Sequence, residues 1–307
     1  MNEVKIFCPA TIANLSCGFD VMGLCLASVG DEMVIRKSVN KGIHITKIIG
    51  ANLPYEATKN VAGVAALSMI SSLDLDYGFE IEIYKNIKAG SGIGSSSASA
   101  AGAVFGINEL LGRPFTRHEL VNFAMQGEVL ASGSAHADNV APCLLGNFTL
   151  VRCINPMDVI TIPSPKNLFV TVIHPQIELK TIEMRAVLPI EIPLRKAIVQ
   201  WANVGSLVAG LYTSNYSLIG RSLEDVIVEP FRGKFIPKFN ELKKLAVDSG
   251  ALGSGISGSG PSVFAFSEGQ ETADKVAHSF KNLFESTEIP FEIHVSKIDT
   301  TGVRKIE

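Results

Sequence analysis

Three stretches of the chain carry residues whose types and spacing could do chemistry. The most informative comprises Lys88, Ala89, Gly90, Ser91, Gly92, Ile93, Gly94, Ser95, Ser96, Ser97 and Ala98. Glycines let a backbone turn through positive φ and bring bare N–H groups against an anion. A helix starting near Ser95 would add unpaired N–H donors and the positive end of its dipole. Together these would cradle a nucleotide's phosphates; on residue types alone, a flexible loop or a tight packing turn is the competing reading. The run is not a Walker A loop, because no Lys follows Gly94. It is not GxGxxG either, and no acidic residue ends a second strand ~20 positions on. The second stretch, residues 134–142 (SAHADNVAP), sets His136, Asp138 and Asn139 in a polar, turn-prone segment between apolar elements. In the third, residues 9–23 (PATIANLSCGFDVMG), Pro, Asn and Gly punctuation suits a loop near a site.

The elements around these stretches can be read from periodicity. Strands are expected at 4–10, 32–39 and 79–84, with 42–48 as a hairpin partner of the second. Helices are expected over 60–73 with Asn60 as N-cap, over 95–111, and over 116–132, where Thr116 and Glu119 stand at capping-box spacing. Short strands at 148–153 and 159–162 lead to the proline-bearing segment IPSPKN, where a boundary divides residues 1–160 from 161–307. Beyond it come strands at 168–173, 262–266 and 291–298, and helices at 194–212, 239–249 and 271–284. Strands and helices mix without a regular βαβ repeat, so the class is α+β. Trp201 and the phenylalanines read as core.

Composition narrows the function. A chain of 307 residues with 47% hydrophobic and 19% charged residues can build a sizeable core and is not disordered. The net charge of −3, with no basic run, argues against nucleic-acid or anionic-membrane partners. No apolar stretch reaches the ~18 residues of a membrane span, and the first residues are too polar for a secretion signal. Cys8, Cys17, Cys25, Cys143 and Cys153 are odd in number and lack CxxC spacing, as expected of reduced thiols in a cytoplasmic protein.

Three segments carry a resemblance. Gly92-Ile93-Gly94-Ser95-Ser96 resembles the GLGSS core of the PxxxGLGSS phosphate loop of the GHMP kinases, with Lys88 where that family usually has Pro. Residues 9–23 are similar to the family's first motif, and residues 252–262 (LGSGISGSGPS) to its glycine-rich third motif. The three stand in the family's order along the whole chain. The resemblance implies an N-terminal domain like the second domain of ribosomal protein S5, a ferredoxin-like C-terminal domain and an active site between them. It implies ATP as co-substrate, with Asn60 among the adenine contacts, and Mg²⁺ held by the carboxylate of Glu128 and the hydroxyl of Ser96. A homodimer is a further expectation from it.

Within the family, the first motif and the 134–142 segment look most like the branch that phosphorylates the side-chain hydroxyl of L-homoserine, a step of threonine biosynthesis. In that branch His136 and Asn139 face the substrate and Asn139 anchors the hydroxyl. Asp138 aligns with the catalytic aspartate of the mevalonate-kinase branch, and is here either a base or a structural charge. A zwitterionic substrate calls for guanidinium forks at its carboxylate, supplied by Arg185 and Arg232. Its ammonium calls for an anion, supplied by Asp20 with Asn14; Thr181 and Gly258 complete the pocket. The alternatives within the family are mevalonate, a sugar or shikimate; mevalonate lacks an ammonium, so it would leave Asp20 without a charge partner and would fit the paired arginines only in part. A non-catalytic nucleotide sensor would be expected to lack Glu128 or Ser96, and both are present.

Overall fold

A computed structural model describes residues 2–307. The first half runs β1 (Glu3–Ala13), β2 (Met22–Ser38), β3 (Gly42–Ile49), α1 (Val61–Ile70), β4 (Gly78–Tyr84), α2 (Ser95–Leu110), α3 (Arg117–Ser132), α4 (Val140–Leu145), β5 (Phe148–Ile154) and β6 (Met157–Ile162). The second runs β7 (Leu168–Pro175), α5 (Thr181–Ala186), α6 (Leu194–Thr213), α7 (Tyr216–Ser222), α8 (Glu229–Arg232), α9 (Phe239–Asp248), β8 (Gly253–Ile256), β9 (Val263–Glu268), α10 (Gln270–Glu285), β10 (Phe291–Lys297) and β11 (Arg304–Ile306).

The first sheet has the order β11-β1-β2-β4-β3, with the β5–β6 hairpin joined to the start of β2. Residues 42–48 are therefore not a hairpin partner of the preceding strand. They form β3, which pairs in parallel with β4, and β4 takes the edge of β2. The cause is α1, whose small residues Ala62, Ala65 and Ala66 are buried; a helix crossing the sheet brings the chain back parallel. The strand expected at 32–39 starts ten residues earlier, at Met22. The last three residues of the turn-prone segment 134–142 belong instead to α4, which starts at Val140, and residues 304–306 return to pair with β1.

Helix α2 owes its small-residue sequence to close packing on β1 and β2. A Cβ on Gly102 would come within 2.4 Å of Cys8 Sγ, and one on Gly106 within 2.5 Å of Ile35 Cδ1. The capping box of α3 is present, with Thr116 Oγ1 accepting from the Glu119 N–H at 3.3 Å and the Thr116 N–H donating to Glu119 at 2.7 Å.

The second sheet is antiparallel in the order β10-β7-β9-β8. One face receives Leu242 and Ala246 of α9 and Val276, Phe280 and Phe284 of α10, a core spaced i, i+4 on each helix. The other face turns Phe264 and Phe266 into the core of the first sheet, where Phe148 meets Phe266 edge-on. Strand β7 is buried along its whole length as a result. Three aromatic residues depart from the core reading. Trp201 on α6 is 57% exposed, Phe235 is exposed, and Phe19 lies in the cleft between the two halves. The five cysteines are free.

Candidate active site

A cleft of about 360 Å³ lies where the first motif, the glycine-serine loop, the end of α3 and α5 converge. Its floor is built by the loop before α2. Gly90, Gly92 and Gly94 all adopt positive φ (72°, 80° and 73°), so glycine is required there. Gly94 caps α2 without any side-chain bond, which leaves the first N–H groups of that helix facing the cleft. The third motif braces this turn from behind: Ser257 Oγ donates to Gly92 O at 2.7 Å and Ser262 Oγ to Ser91 O at 2.6 Å. The cradle is thus held open by hydroxyls on the turn between β8 and β9 of the other sheet.

The first motif is a strained turn. Asn14, Leu15, Ser16 and Asp20 all take positive φ, which costs a bulky residue such as Leu15 on the order of 1–3 kcal/mol. Hydrogen bonds hold it there. Asn14 Oδ1 accepts from the Asp20 N–H at 3.1 Å, and Asn14 Nδ2 donates to Gly258 O at 2.7 Å. Gly258, itself at φ 58°, also accepts from Arg232 Nη1 at 3.1 Å, so one carbonyl joins the first motif, the third motif and α8.

Arg232 is 2% exposed and has no carboxylate partner: its Nε donates to Met184 O at 2.9 Å and its Nη1 to Gly258 O. Burial, and then the neighbouring Arg185, push its pKa down to about 10. Arg185 instead makes a two-pronged ion pair with Asp20, both bonds 2.8 Å. Phe19 lies against both guanidinium groups, 5.4 Å from Arg185 and 5.1 Å from Arg232 at its ring centre. The site therefore presents a positive, negative and positive charge in sequence, a pattern that matches a zwitterion.

Glu128 on α3 is 3% exposed and its Oε1 has no hydrogen-bond partner. Burial raises its pKa, against which the His136 charge and the nearby Ser96 and Ser97 hydroxyls pull it down. Among the described residues there is no cluster of three or more His, Cys, Asp or Glu able to hold a metal ion. An orphaned buried carboxylate oxygen beside Ser96 still fits a hard divalent cation, provided a ligand supplies the remaining oxygens.

His136 is committed on both ring nitrogens, to Ser132 Oγ at 2.8 Å and to Asp138 Oδ1 at 3.0 Å. Ser132 Oγ also lies 2.9 Å from Glu128 O, to which its hydroxyl donates, so it accepts from His136. Both ring nitrogens then carry protons. Burial works to lower the pKa of this imidazole, but the bond to Asp138 and the charges of Asp138, Glu128 and Asp20 outweigh it and push it up to about 9. The stabilisation is complete below the ordinary value of 6.5 and is lost as pH rises through about 9. We expect the Tm of the protein to fall across that window, and a His136→Gln variant to show a flatter profile between pH 6.5 and 9. Equal slopes for the two proteins would contradict a charged His136.

Most of the residues expected from sequence line the cleft: Asn14, Asp20, Asn60, Ala89, Gly90, Ser91, Gly92, Gly94, Ser95, Ser96, Glu128, His136, Asp138, Asn139, Thr181, Arg185, Arg232 and Gly258. Four do not. Lys88 reaches instead to Gln176 and Glu292, while Ile93, Ser97 and Ala98 are buried in the core behind the loop. Asn60 caps α1, with Oδ1 accepting from the Ala62 N–H at 3.0 Å, so that oxygen is not free for a ligand. Sequence reasoning missed Lys85. Its buried ammonium pairs with Asp31 and donates to Ser95 O at 2.7 Å and Ser99 Oγ at 3.1 Å, tying the first turn of α2 to the sheet beneath the phosphate cradle. The one local signal is a lysine directly following an alternating strand.

Comparison with known proteins agrees with this geometry. The family description "GHMP kinases N terminal domain" matches residues 52–147, and "GHMP kinases C terminal" matches 207–286. The homoserine kinase of Chlorobium phaeobacteroides is 45% identical, with both chains covered completely. That of Chlorobaculum tepidum is 46% identical over 100% of this chain and 99% of its own. The crystal structure of homoserine kinase from Cytophaga hutchinsonii superposes with a TM-score of 0.96 at 48% identity, covering 100% of this chain and 98% of that one. With its two α+β halves, its phosphate cradle and this degree of likeness along its full length, the chain belongs to the homoserine kinases of the GHMP kinase family.

Proposed function

We propose that the protein transfers the γ-phosphoryl group of ATP to the side-chain hydroxyl of L-homoserine, giving O-phospho-L-homoserine and ADP for threonine biosynthesis. The observation that carries the reading is the buried, unpaired guanidinium of Arg232 beside the Asp20–Arg185 pair, across the cleft from the phosphate cradle. A carboxylate on Arg232 and Arg185, with an ammonium on Asp20, accounts for all three charges.

The reaction needs positioning and charge neutralisation more than covalent help. The amides of residues 90–96 and the N-terminal end of α2 hold the phosphates, and Lys85, paired with Asp31, braces that end of the helix through Ser95 O. Glu128 and Ser96 would hold Mg²⁺, which when bound to the nucleotide neutralises charge on the transferring group. The homoserine hydroxyl oxygen, oriented by Asn139, attacks the γ-phosphorus as the bond to the β–γ bridging oxygen breaks, and ADP departs with that electron pair. Asp138 Oδ1 is engaged by His136 Nδ1 at 3.0 Å and serves to hold that ring in place. The hydroxyl proton passes to the phosphoryl oxygens being transferred.

A coupled ADP-release assay with L-homoserine, mevalonate, galactose and shikimate tests the assignment. Turnover with homoserine alone is expected; turnover with mevalonate and not homoserine would overturn it.

The protein is further read as a cytoplasmic homodimer. Its free cysteines suit a reducing compartment, and among the described residues no helix is long and apolar enough to cross a membrane. Helix α6 carries no charge from 197 to 213, and Leu194, Ile198, Trp201, Gly205 and Tyr212 form an exposed stripe at helical spacing. Such a stripe is self-complementary across a two-fold axis and exposes none of the like charges that would oppose pairing. Trp201→Glu is expected to convert a dimer to a monomer in size-exclusion chromatography with light scattering. A variant of unchanged mass would place the interface elsewhere.

A further inference from the structure

Thr11 is completely buried and does not line the cleft, yet it sits at the seam between the nucleotide and alcohol sites. Its hydroxyl donates to Asn139 Oδ1 at 2.7 Å, and its N–H donates to Ile93 O in the phosphate loop at 3.2 Å. The fit is tight on the loop side: a Cβ on Gly94 would come within 2.0 Å of Thr11 Oγ1 and 3.2 Å of Asn139 Oδ1. The β1–β2 register shifts between Pro9 and Thr11, and an irregularity of this kind re-aims a side chain that would otherwise follow the strand's alternation.

We propose that Thr11 is a positioning residue for phosphoryl transfer. By engaging the carbonyl oxygen of the Asn139 amide, it fixes that amide with its Nδ2 turned into the cleft as a donor to the acceptor hydroxyl oxygen. The backbone N–H of the same residue ties this amide to the loop that holds the γ-phosphate, so one residue sets the distance between nucleophile and electrophile. A displacement of about an ångström at such a junction lowers the rate without weakening ground-state binding. The inference rests on the homoserine kinase reading, with Asn139 as the hydroxyl anchor.

The test is a double-mutant cycle on the full-length enzyme with ATP and L-homoserine as substrates. Thr11→Val keeps the shape and removes the hydroxyl; it is expected to lower kcat about tenfold, with KM for both substrates within about twofold. Thr11→Ser, which restores the donor, is expected to recover most of that loss. In an Asn139→Ala background, Thr11→Val is expected to add nothing, because the group it orients is gone. Thermal melts of each variant accompany the kinetics. A Thr11→Val enzyme with wild-type kcat, a Thr11→Ser enzyme as slow as Thr11→Val, or losses that multiply across the cycle would each overturn the proposal. Unmodified protein inert toward homoserine would overturn the substrate reading and this inference with it. Active unmodified protein with an unimpaired Thr11→Val variant overturns this inference alone.

Discussion

Glu128→Gln is expected to lower kcat by about two to three orders of magnitude and to raise the Mg²⁺ concentration needed for half-maximal rate. The side chain keeps its size and its place on α3, so the change isolates the charge. In the folded protein Glu128 is buried with one oxygen unpartnered, an arrangement that is costly unless a cation completes it. The amide is neutral and has only one acceptor, so a cation held there would lose its anionic anchor. Removing a buried carboxyl that lacks a full set of partners also relieves a desolvation cost, so Tm without nucleotide is expected to hold or rise. Titration of rate against Mg²⁺ for the two proteins checks this, and an unchanged Mg²⁺ dependence would take Glu128 out of the metal site.

Arg232→Leu is expected to raise KM for homoserine by roughly 30- to 1000-fold, equivalent to about 2–4 kcal/mol, with a much smaller effect on KM for ATP. The guanidinium bonds only two backbone carbonyls, so its charge has no partner until a carboxylate arrives. Arg185→Leu removes the other cation and also frees Asp20, the proposed ammonium site, from its ion pair. It is expected to raise the same KM by a comparable factor. Initial-rate kinetics with each substrate varied in turn separates the two sites. A variant retaining the wild-type KM for homoserine would show that the carboxylate lies elsewhere.

How much of this was readable in the residues depended on how local the cause was. The phosphate loop could be read because glycine spacing and a following helix act over ten residues, and the capping box of α3 because it spans four. The amphipathic helices α9 and α10 declared themselves through i, i+4 spacing. By contrast, Thr11 and Asn139 are 128 residues apart and Asp20 and Arg185 are 165 apart. Only the folded topology brings such pairs together, and no periodicity marks them. The parallel pairing of β3 was missed because adjacency along the chain favours a hairpin, whereas burial of α1 dictates a crossover. Trp201 was misplaced for a different reason. Helix α6 is apolar on two faces, and spacing cannot say which face meets the sheet. Lys88 fell where the loop pattern put it in sequence, but its side chain answers to charges on the second sheet.

One cleft is expected to hold a triphosphate at the turn before α2 and a free amino acid against Arg232 and Asp20. A crystal structure with a non-hydrolysable ATP analogue and L-homoserine bound together tests it most directly. Phosphate oxygens are expected within hydrogen-bonding distance of the amides of residues 90–96, with the homoserine carboxylate on Arg232 and its hydroxyl beside Asn139 facing the γ-phosphorus. Nucleotide phosphates seated away from that turn, or an amino acid whose carboxylate avoids both arginines, would contradict it.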